Sequence, residues 1–200
     1  MHKSDTLLNR SRSAGSPDEW KLEFQAIAAL AANEGFPYMI FAPVRAHAHA
    51  YQNWSATSYP KAWQENYELK KYLPRNPIRA HTLITSKPFA WSDLEQVLDA
   101  EDRGIFHDCR ASGMANGIVI PIHGPHGQAI SVGFACELAE AVRPQVVPLL
   151  RDFAFCLFHA QENLDLSQPV HLTQREKQVM QLIAEGMDNL SIADALQISD

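Results

Sequence analysis

Apolar positions recur along the first half of the chain at spacings that alternate between helix and strand. Trp20, Phe24, Ile27 and Ala31 follow a helical stripe and predict an amphipathic helix from Trp20, closed near Gly35. "YMIFAPVRAHAHAYQNWS" predicts two short strands. In "SYPKAWQENYELKKYLPRNPIRA", residues 58–80, Tyr59, Trp63 and Tyr67 lie four apart and predict one aromatic face of a helix, with Ser58 and Pro60 as cap and first turn. "KPFAWSD" predicts a short strand, and "DAEDRGIFHDCRASGMANG" a helix ending in glycines. "GIVIPIHGPHGQAISVGFACE" has β-branched runs on both sides of a Gly-Pro-His-Gly turn, the pattern of a hairpin. The second arm places Ser131, Gly133 and Ala135 on one face. "RPQVVPLLRDFAFCLFHAQENL" predicts an apolar helix in which Pro148 fits only the first turn or a kink. Hairpin strands with helices before, between and after them predict the α+β class, an antiparallel sheet sandwiched by helices.

Polarity changes at "DLSQPVH", residues 165–171, which predicts a linker. Helical spacing resumes beyond it: Thr173 with Glu176 forms a capping-box pattern, Gly186 closes the first helix and Asp188 caps a second. The expected organisation is a flexible arm over 1–19, a domain over 20–164, a linker over 165–171 and a short all-α unit over 172–200. Within the helix of 144–162, Val146, Val147, Leu149, Leu150, Phe153, Phe155, Leu157 and Phe158 cover more than one stripe. Part must face the sheet, and the rest suits a second protomer better than water.

Composition narrows the function classes. With 46% hydrophobic and 20% charged residues among 200, the chain can bury a core. A formal charge of −6 gives the whole chain no electrostatic case for nucleic acid or an anionic membrane. The N-terminus has no apolar signal core, and no apolar run approaches the length of a membrane span. Three cysteines without a CxxC pair fit reduced thiols and a cytoplasmic protein.

Catalytic and metal chemistry find little support. His47 and His49 share a strand face but lack a third ligand nearby, so solvated histidines are the simpler reading. His123 and His126 flank the hairpin turn and are expected to be solvated. His107 falls off the helical face of Cys109, and Cys109 and Cys136 are expected to be small core residues. No GxSxG elbow or metal cluster is present. These observations argue against an enzyme and call for no cofactor or metal.

"LTQREKQVMQLIAEG" followed by "SIADALQIS" resembles the start of the helix-turn-helix domain of the LuxR family of bacterial quorum-sensing regulators, matching at Leu172, Thr173, Arg175, Glu176, Val179, Ala184, Gly186, Ile192, Ala193, Leu196, Ile198 and Ser199. The N-terminal segment resembles that family's acyl-homoserine-lactone-binding domain. The resemblance implies a pocket marked by Tyr59, Trp63, Tyr67, Pro77, Trp91 and Gly117. The Trp63 indole N–H would donate to a lactone carbonyl and the Tyr59 hydroxyl would bond an amide carbonyl. Tyr67 and Trp91 would wall the cavity, and Gly117 would leave room beside the head group. Rings with polar tips suit this task, since each gives an apolar wall and a fixed hydrogen-bonding group. The resemblance further implies a homodimer, or a heterodimer with a homologue, that binds a small signal and DNA.

Two departures qualify it. The family's Asp-Pro is Asn76-Pro77 here, so a carboxylate acceptor for the ligand's amide N–H becomes a neutral amide. Gly133 stands where the family often has Ser or Thr contacting that amide. The second departure is that residues 171–200 carry two basic and five acidic residues, a net −3, and stop where the resemblance places the recognition helix. The expectation is an incomplete helix-turn-helix, with Thr173, Glu176, Gly186, Ile192 and Ala193 as its remnant, and with DNA binding lost from this chain. It leaves an apolar face including Val179, Leu182, Ile183, Ile192 and Leu196 uncovered. A ligand-independent, dominant-negative partner of full-length homologues is the alternative expectation.

Overall fold

Local capping sets where the first helix begins. Helix α1 (Pro17–Asn33) is capped by Ser16, whose Oγ accepts the Glu19 N–H at 3.3 Å, with Pro17 in the first turn and Asp18 and Glu19 against the positive helix end. It therefore starts inside the stretch expected to be arm, and Trp20, Phe24, Ile27 and Ala31 form its buried stripe. Gly35, at φ +97°, turns the chain into the sheet. The structure, a computed structural model, describes residues 16–45, 55–124, 127–139, 142–167 and 172–197. His47, His49 and His126 lie outside them, as does most of the second strand expected after Tyr38.

Five strands form one antiparallel sheet in the order β2-β1-β5-β4-β3: β1 (Tyr38–Arg45), β2 (Ala56–Thr57), β3 (Phe89–Ala90), β4 (Asn116–His123) and β5 (Ala129–Cys136). The expected hairpin is β4–β5, with Val119 opposite Gly133, and β1 runs along the other side of β5 with Ile40 opposite the same glycine. Strand alternation gives the sheet two different faces. Met39, Phe41, Ile118, Ile120, Ile130, Val132 and Phe134 belong to one core, shared with the buried stripe of α1 and with helix α6 (Val147–Ser167). The opposite face carries Ile40, Val119, Ser131, Gly133 and Ala135, several of them small, under a layer of short helices.

Helix α6 follows a 3-10 turn (Pro144–Val146), and Pro148 sits in its first turn, where a missing N–H costs nothing. The Trp20 indole N–H donates to the Leu157 carbonyl at 3.1 Å and ties α1 to α6. Val146, Leu150, Phe153, Leu157 and Phe158 are buried within their own domain, while Val147, Leu149 and Phe155 are half-buried. The helix runs to Ser167, three residues into the expected linker.

The aromatic segment departs most from the sequence expectation. The helix expected to carry Tyr59, Trp63 and Tyr67 is α2 (Lys61–Leu69), followed by a 3-10 turn (Leu73–Arg75) and α3 (Pro77–Thr82). Lys71 in the left-handed region, φ +52°, breaks the helical run. Ser58 does not cap α2: its Oγ accepts the Met39 N–H at 2.8 Å and secures β1 instead. Tyr59 consequently precedes the helix rather than extending its face. Helices α4 (Trp91–Gln96) and α5 (Ala100–Ala111) complete the layer, α5 being capped by Asp99.

Asp108 on α5 fastens this layer. Its Oδ2 accepts from Asn66 at 3.0 Å and Tyr72 at 2.6 Å, and it pairs with Lys70. Desolvation works against ionisation, but the hydrogen bonds from Lys70, Tyr72 and Asn66 outweigh it and hold the carboxyl well below the usual carboxylate range. Asp108→Asn is expected to cost about 1.5–3 kcal/mol, the usual contribution of a charge-assisted hydrogen bond. Because the folded-state pKa is depressed, the difference between wild type and variant should be constant above the unfolded carboxylate pKa, near ~3.9. It should shrink as pH falls below that value towards the folded one. Urea midpoints measured from neutral to acid pH test both statements.

The chain divides after Ser167 into two compact units. In the second, α7 (Gln174–Ala184) has a complete capping box: the Thr173 Oγ1 accepts the Glu176 N–H at 3.2 Å, and the Glu176 carboxylate accepts the Thr173 N–H at 2.7 Å. Gly186, at φ +82°, ends the turn after it. Asp188 caps α8 (Asn189–Leu196) by accepting the Ser191 N–H at 2.8 Å. Arg175 reaches from α7 to the Leu196 carbonyl. Ile192 and Ala193 are buried, Val179, Leu182 and Leu196 half-buried, and Ile183 is exposed.

Candidate functional site

A cavity of about 640 Å³ lies between the small-residue face of the sheet and the short helices. That is within the range of small-molecule sites. Ile40 and Val119 line it from the sheet beside Ser131 and Gly133, while Ile78 and Ile105 come from α3 and α5. Tyr59, Trp63, Tyr67, Asn76, Arg79 and Trp91 add polar tips to these walls. β5 leaves room because Ser131 and Gly133 face inward where larger residues would fill the space.

Tyr59 comes from the turn before α2, and its hydroxyl sits over Gly133, 3.0 Å from where a Cβ would stand. Burial pushes the phenol well above its ordinary pKa, and the neighbouring Cys109 adds to this, so it remains protonated. Trp63, on α2, packs edge-on against Tyr67 at 5.7 Å between centroids and stacks with Tyr72 at 6.0 Å. The packed trio is therefore Trp63, Tyr67 and Tyr72, not the expected one with Tyr59.

Asn76 occupies both of its ends. Its Oδ1 caps α3 by accepting the Ile78 N–H at 2.9 Å, and its Nδ2 donates to the Tyr67 hydroxyl at 3.0 Å. Burial raises the Tyr67 pKa, partly offset by the Asn76 bond and by Arg79, so this phenol is also protonated. Arg79 donates to the carbonyls of Pro43 and Val44 at 3.0 and 3.1 Å, strapping α3 to the end of β1 beside its bulge. Trp91, 3% exposed, begins α4 next to the β3–β4 pairing, and its buried Nε1 has no partner in the fold.

Two of the expected site residues do not face the cavity. Pro77 is the buried first residue of α3 and sets that helix's entry rather than touching the space. Gly117 lies beneath the Trp91 indole: a Cβ would stand 2.8 Å from Trp91 Cε2 and 2.7 Å from the Phe134 carbonyl oxygen. It seats a wall of the cavity instead of opening room in it. Tyr72, Arg79 and Ile105 were not singled out from sequence. Tyr72 is five residues from Tyr67 and off helical period, so only the break at Lys71 brings its ring back.

Cys109 lines the cavity as a buried thiol whose pKa is pushed far up by burial, against the opposing effect of Arg110. It is an inert wall rather than a nucleophile. Cys136 is also buried and donates weakly to backbone carbonyls. His123 is exposed, and its Nε2 lies 2.9 Å from the Thr82 carbonyl and 3.1 Å from that of Thr85.

This architecture has known counterparts. Residues 23–164 match the family described as autoinducer binding domain, and residues 170–200 match bacterial regulatory proteins of the luxR family. The chain belongs to the LuxR family. It is 27% identical over 150 residues to the transcriptional activator VanR of Vibrio anguillarum, covering 72% of this chain and 62% of that protein. It is 28% identical over 150 residues to the quorum-sensing regulator RhlR of Pseudomonas aeruginosa, covering 72% of this chain and 61% of RhlR. The LuxR-family chain thus spans about three fifths of the length of these curated relatives. Crystalline SdiA of Escherichia coli shares its fold with a TM-score of 0.70 at 19% identity, over 98% of this chain and 83% of that one. SdiA in complex with octanoyl-rac-glycerol gives 0.69 at 18% identity, over 98% and 81%. No helix among the described residues is long and apolar enough to cross a membrane.

Proposed function

We propose that this LuxR-family chain is a quorum-sensing regulator that binds an acyl-homoserine lactone or related small amphiphile in the cavity over β5. One observation carries the reading: an apolar-walled space of about 640 Å³ is lined by Tyr59, Trp63 and Trp91, and the Trp91 indole Nε1 is buried without a partner. A buried donor without a partner is costly, and a ligand carbonyl relieves that cost. Ile40, Ile78, Ile105 and Val119 offer an acyl chain apolar surface, and Tyr67, Asn76, Trp91 and Gly133 shape the polar end. Gly117 and Pro77 act one step back, by seating Trp91 and α3.

In this reading the protein works in the cytoplasm, as a homodimer or with a LuxR-type homologue. The half-buried Val147, Leu149 and Phe155 support α6 as a dimer surface. DNA recognition belongs to the helix-turn-helix domain to which α7 and α8 contribute, with Thr173, Glu176, Gly186, Ile192 and Ala193 holding those two helices. No catalytic role is proposed, and no cofactor beyond the signal itself.

A ligand that binds only the folded state raises thermal stability in proportion to the logarithm of its concentration. At a hundred times its dissociation constant, an octanoyl- or decanoyl-homoserine lactone should add about 2.7 kcal/mol. A concentration-dependent rise in Tm supports the reading. An unchanged Tm across acyl chains of four to fourteen carbons contradicts it.

A further inference from the structure

The polar end of the cavity is rich in donors, and the acceptors around Asn76 are neutral oxygens rather than a carboxylate. Asn76 is the cause. A carboxylate at this position would accept both from the Tyr67 hydroxyl and from a ligand N–H. The amide reverses the first bond, since Asn76 Nδ2 donates to Tyr67 Oη at 3.0 Å. That takes up the good lone pair of the phenol and leaves its proton for the cavity. The remaining acceptor, Asn76 Oδ1, already receives the Ile78 N–H at 2.9 Å as the cap of α3.

The other tips point the same way. The Trp63 and Trp91 indoles can only donate, and Trp91 Nε1 is buried without a partner. The Tyr59 hydroxyl is held protonated above Gly133, a position with no side chain to accept anything. An occupant that donates an N–H finds Asn76 Oδ1 already engaged as a helix cap, and in the same cavity the neutral hydroxyl of Ser131 rather than a carboxylate. One that presents carbonyl or ester oxygens pairs the waiting donors, each of which costs free energy when buried alone.

We infer that the cavity is matched to a neutral acyl amphiphile whose head group is built from carbonyl and ester oxygens, and that it draws little from a ligand amide N–H. This rests on the ligand-binding reading above and narrows it to a chemical class. Arg79 is not the anchor of an anionic head, because its guanidinium is already strapped to the Pro43 and Val44 carbonyls.

The test uses two probes that differ in one atom pair: N-octanoyl-homoserine lactone, and α-octanoyloxy-γ-butyrolactone, in which an ester oxygen replaces the N–H. Both are titrated calorimetrically into the 200-residue chain. The expected result is that the ester binds at least as tightly as the amide, or within about threefold of it. Asn76→Asp should then shift the ratio towards the amide by about ten- to a hundredfold, the usual worth of an N–H bonded to a charged acceptor. The wild-type ratio decides the matter even where the variant does not fold. An amide preference of tenfold or more in wild type overturns the inference while leaving the ligand-binding reading intact. Failure of the folded chain to bind either probe overturns that reading and the inference with it.

Discussion

Gly117→Ala is expected to destabilise the autoinducer-binding domain by about 1–3 kcal/mol, although it adds a single methyl group. The methyl would stand 2.7 Å from the Phe134 carbonyl oxygen and 2.8 Å from Trp91 Cε2. Neither neighbour is a flexible side-chain end. The carbonyl belongs to β5, paired on both sides, and Trp91 is buried at the start of α4. Relief must come from displacing Trp91, so ligand affinity should fall together with stability. A drop in Tm of several degrees is expected for a domain of this size. Gly104→Ala on α5 is the matched control: its Cβ meets nothing within 4 Å, and alanine there should stabilise by roughly 0.5–1 kcal/mol through helix propensity. Thermal denaturation of both variants checks the pair. Equal, small effects would contradict the seating role given to Gly117.

Trp63→Ala is the second large effect. It removes a ring stacked on Tyr72 and edge-on to Tyr67, together with the N–H proposed to donate to a ligand carbonyl. Losing both the apolar wall and the hydrogen bond should weaken an acyl-homoserine lactone by a hundredfold or more, from about 2–3 kcal/mol of buried surface and about 1 kcal/mol of bonding. Trp63→Phe separates the contributions. It keeps a ring and should retain stability to within about 1.5 kcal/mol, while affinity falls by up to about tenfold. Titration of the two variants should therefore give graded losses. If both bind as wild type does, Trp63 is core packing and nothing more.

Much of this arrangement was legible in the chain because periodicity is local. The stripe of α1, the β4–β5 hairpin, the first-turn Pro148 and the Thr173–Glu176 box each depend on neighbours within a few residues. The small face of β5 at Ser131 and Gly133 was also readable, since strand alternation puts them on one side.

The errors arose where distant contacts override spacing. Ser58 looks like a cap until β1 takes its hydroxyl, and Tyr59 looks helical until Pro60 delays the start of α2. The left-handed Lys71 has no glycine to announce it, so the chain reversal that returns Tyr72 to the aromatic cluster was hidden. Gly117 and Gly133 look alike in sequence, yet one lies under Trp91 and the other under Tyr59 at the cavity. Only the register of β4 against β5 separates these roles.

Asn76 is the most instructive residue of the site. From sequence it is a neutral amide acceptor in place of a carboxylate, with an NH₂ that needs a partner of its own. In the fold the partner is Tyr67, and the helix cap takes the oxygen. Both ends of the amide are thus paired within the fold, and the bond to Tyr67, nine residues away, is the part that local spacing does not reveal.

The central claim, that the cavity over β5 holds a small acyl signal, is tested most directly by what the protein keeps. The chain would be expressed in the presence of an acyl-homoserine lactone panel, purified, denatured, and its extract identified by mass. Gly133→Leu, which fills the cavity floor beneath Tyr59, would be treated in parallel. A single lactone or related ester recovered near one per chain from wild type, and absent from Gly133→Leu, is the predicted result. A folded wild-type chain that releases nothing, or the same amount as the filled variant, contradicts the claim.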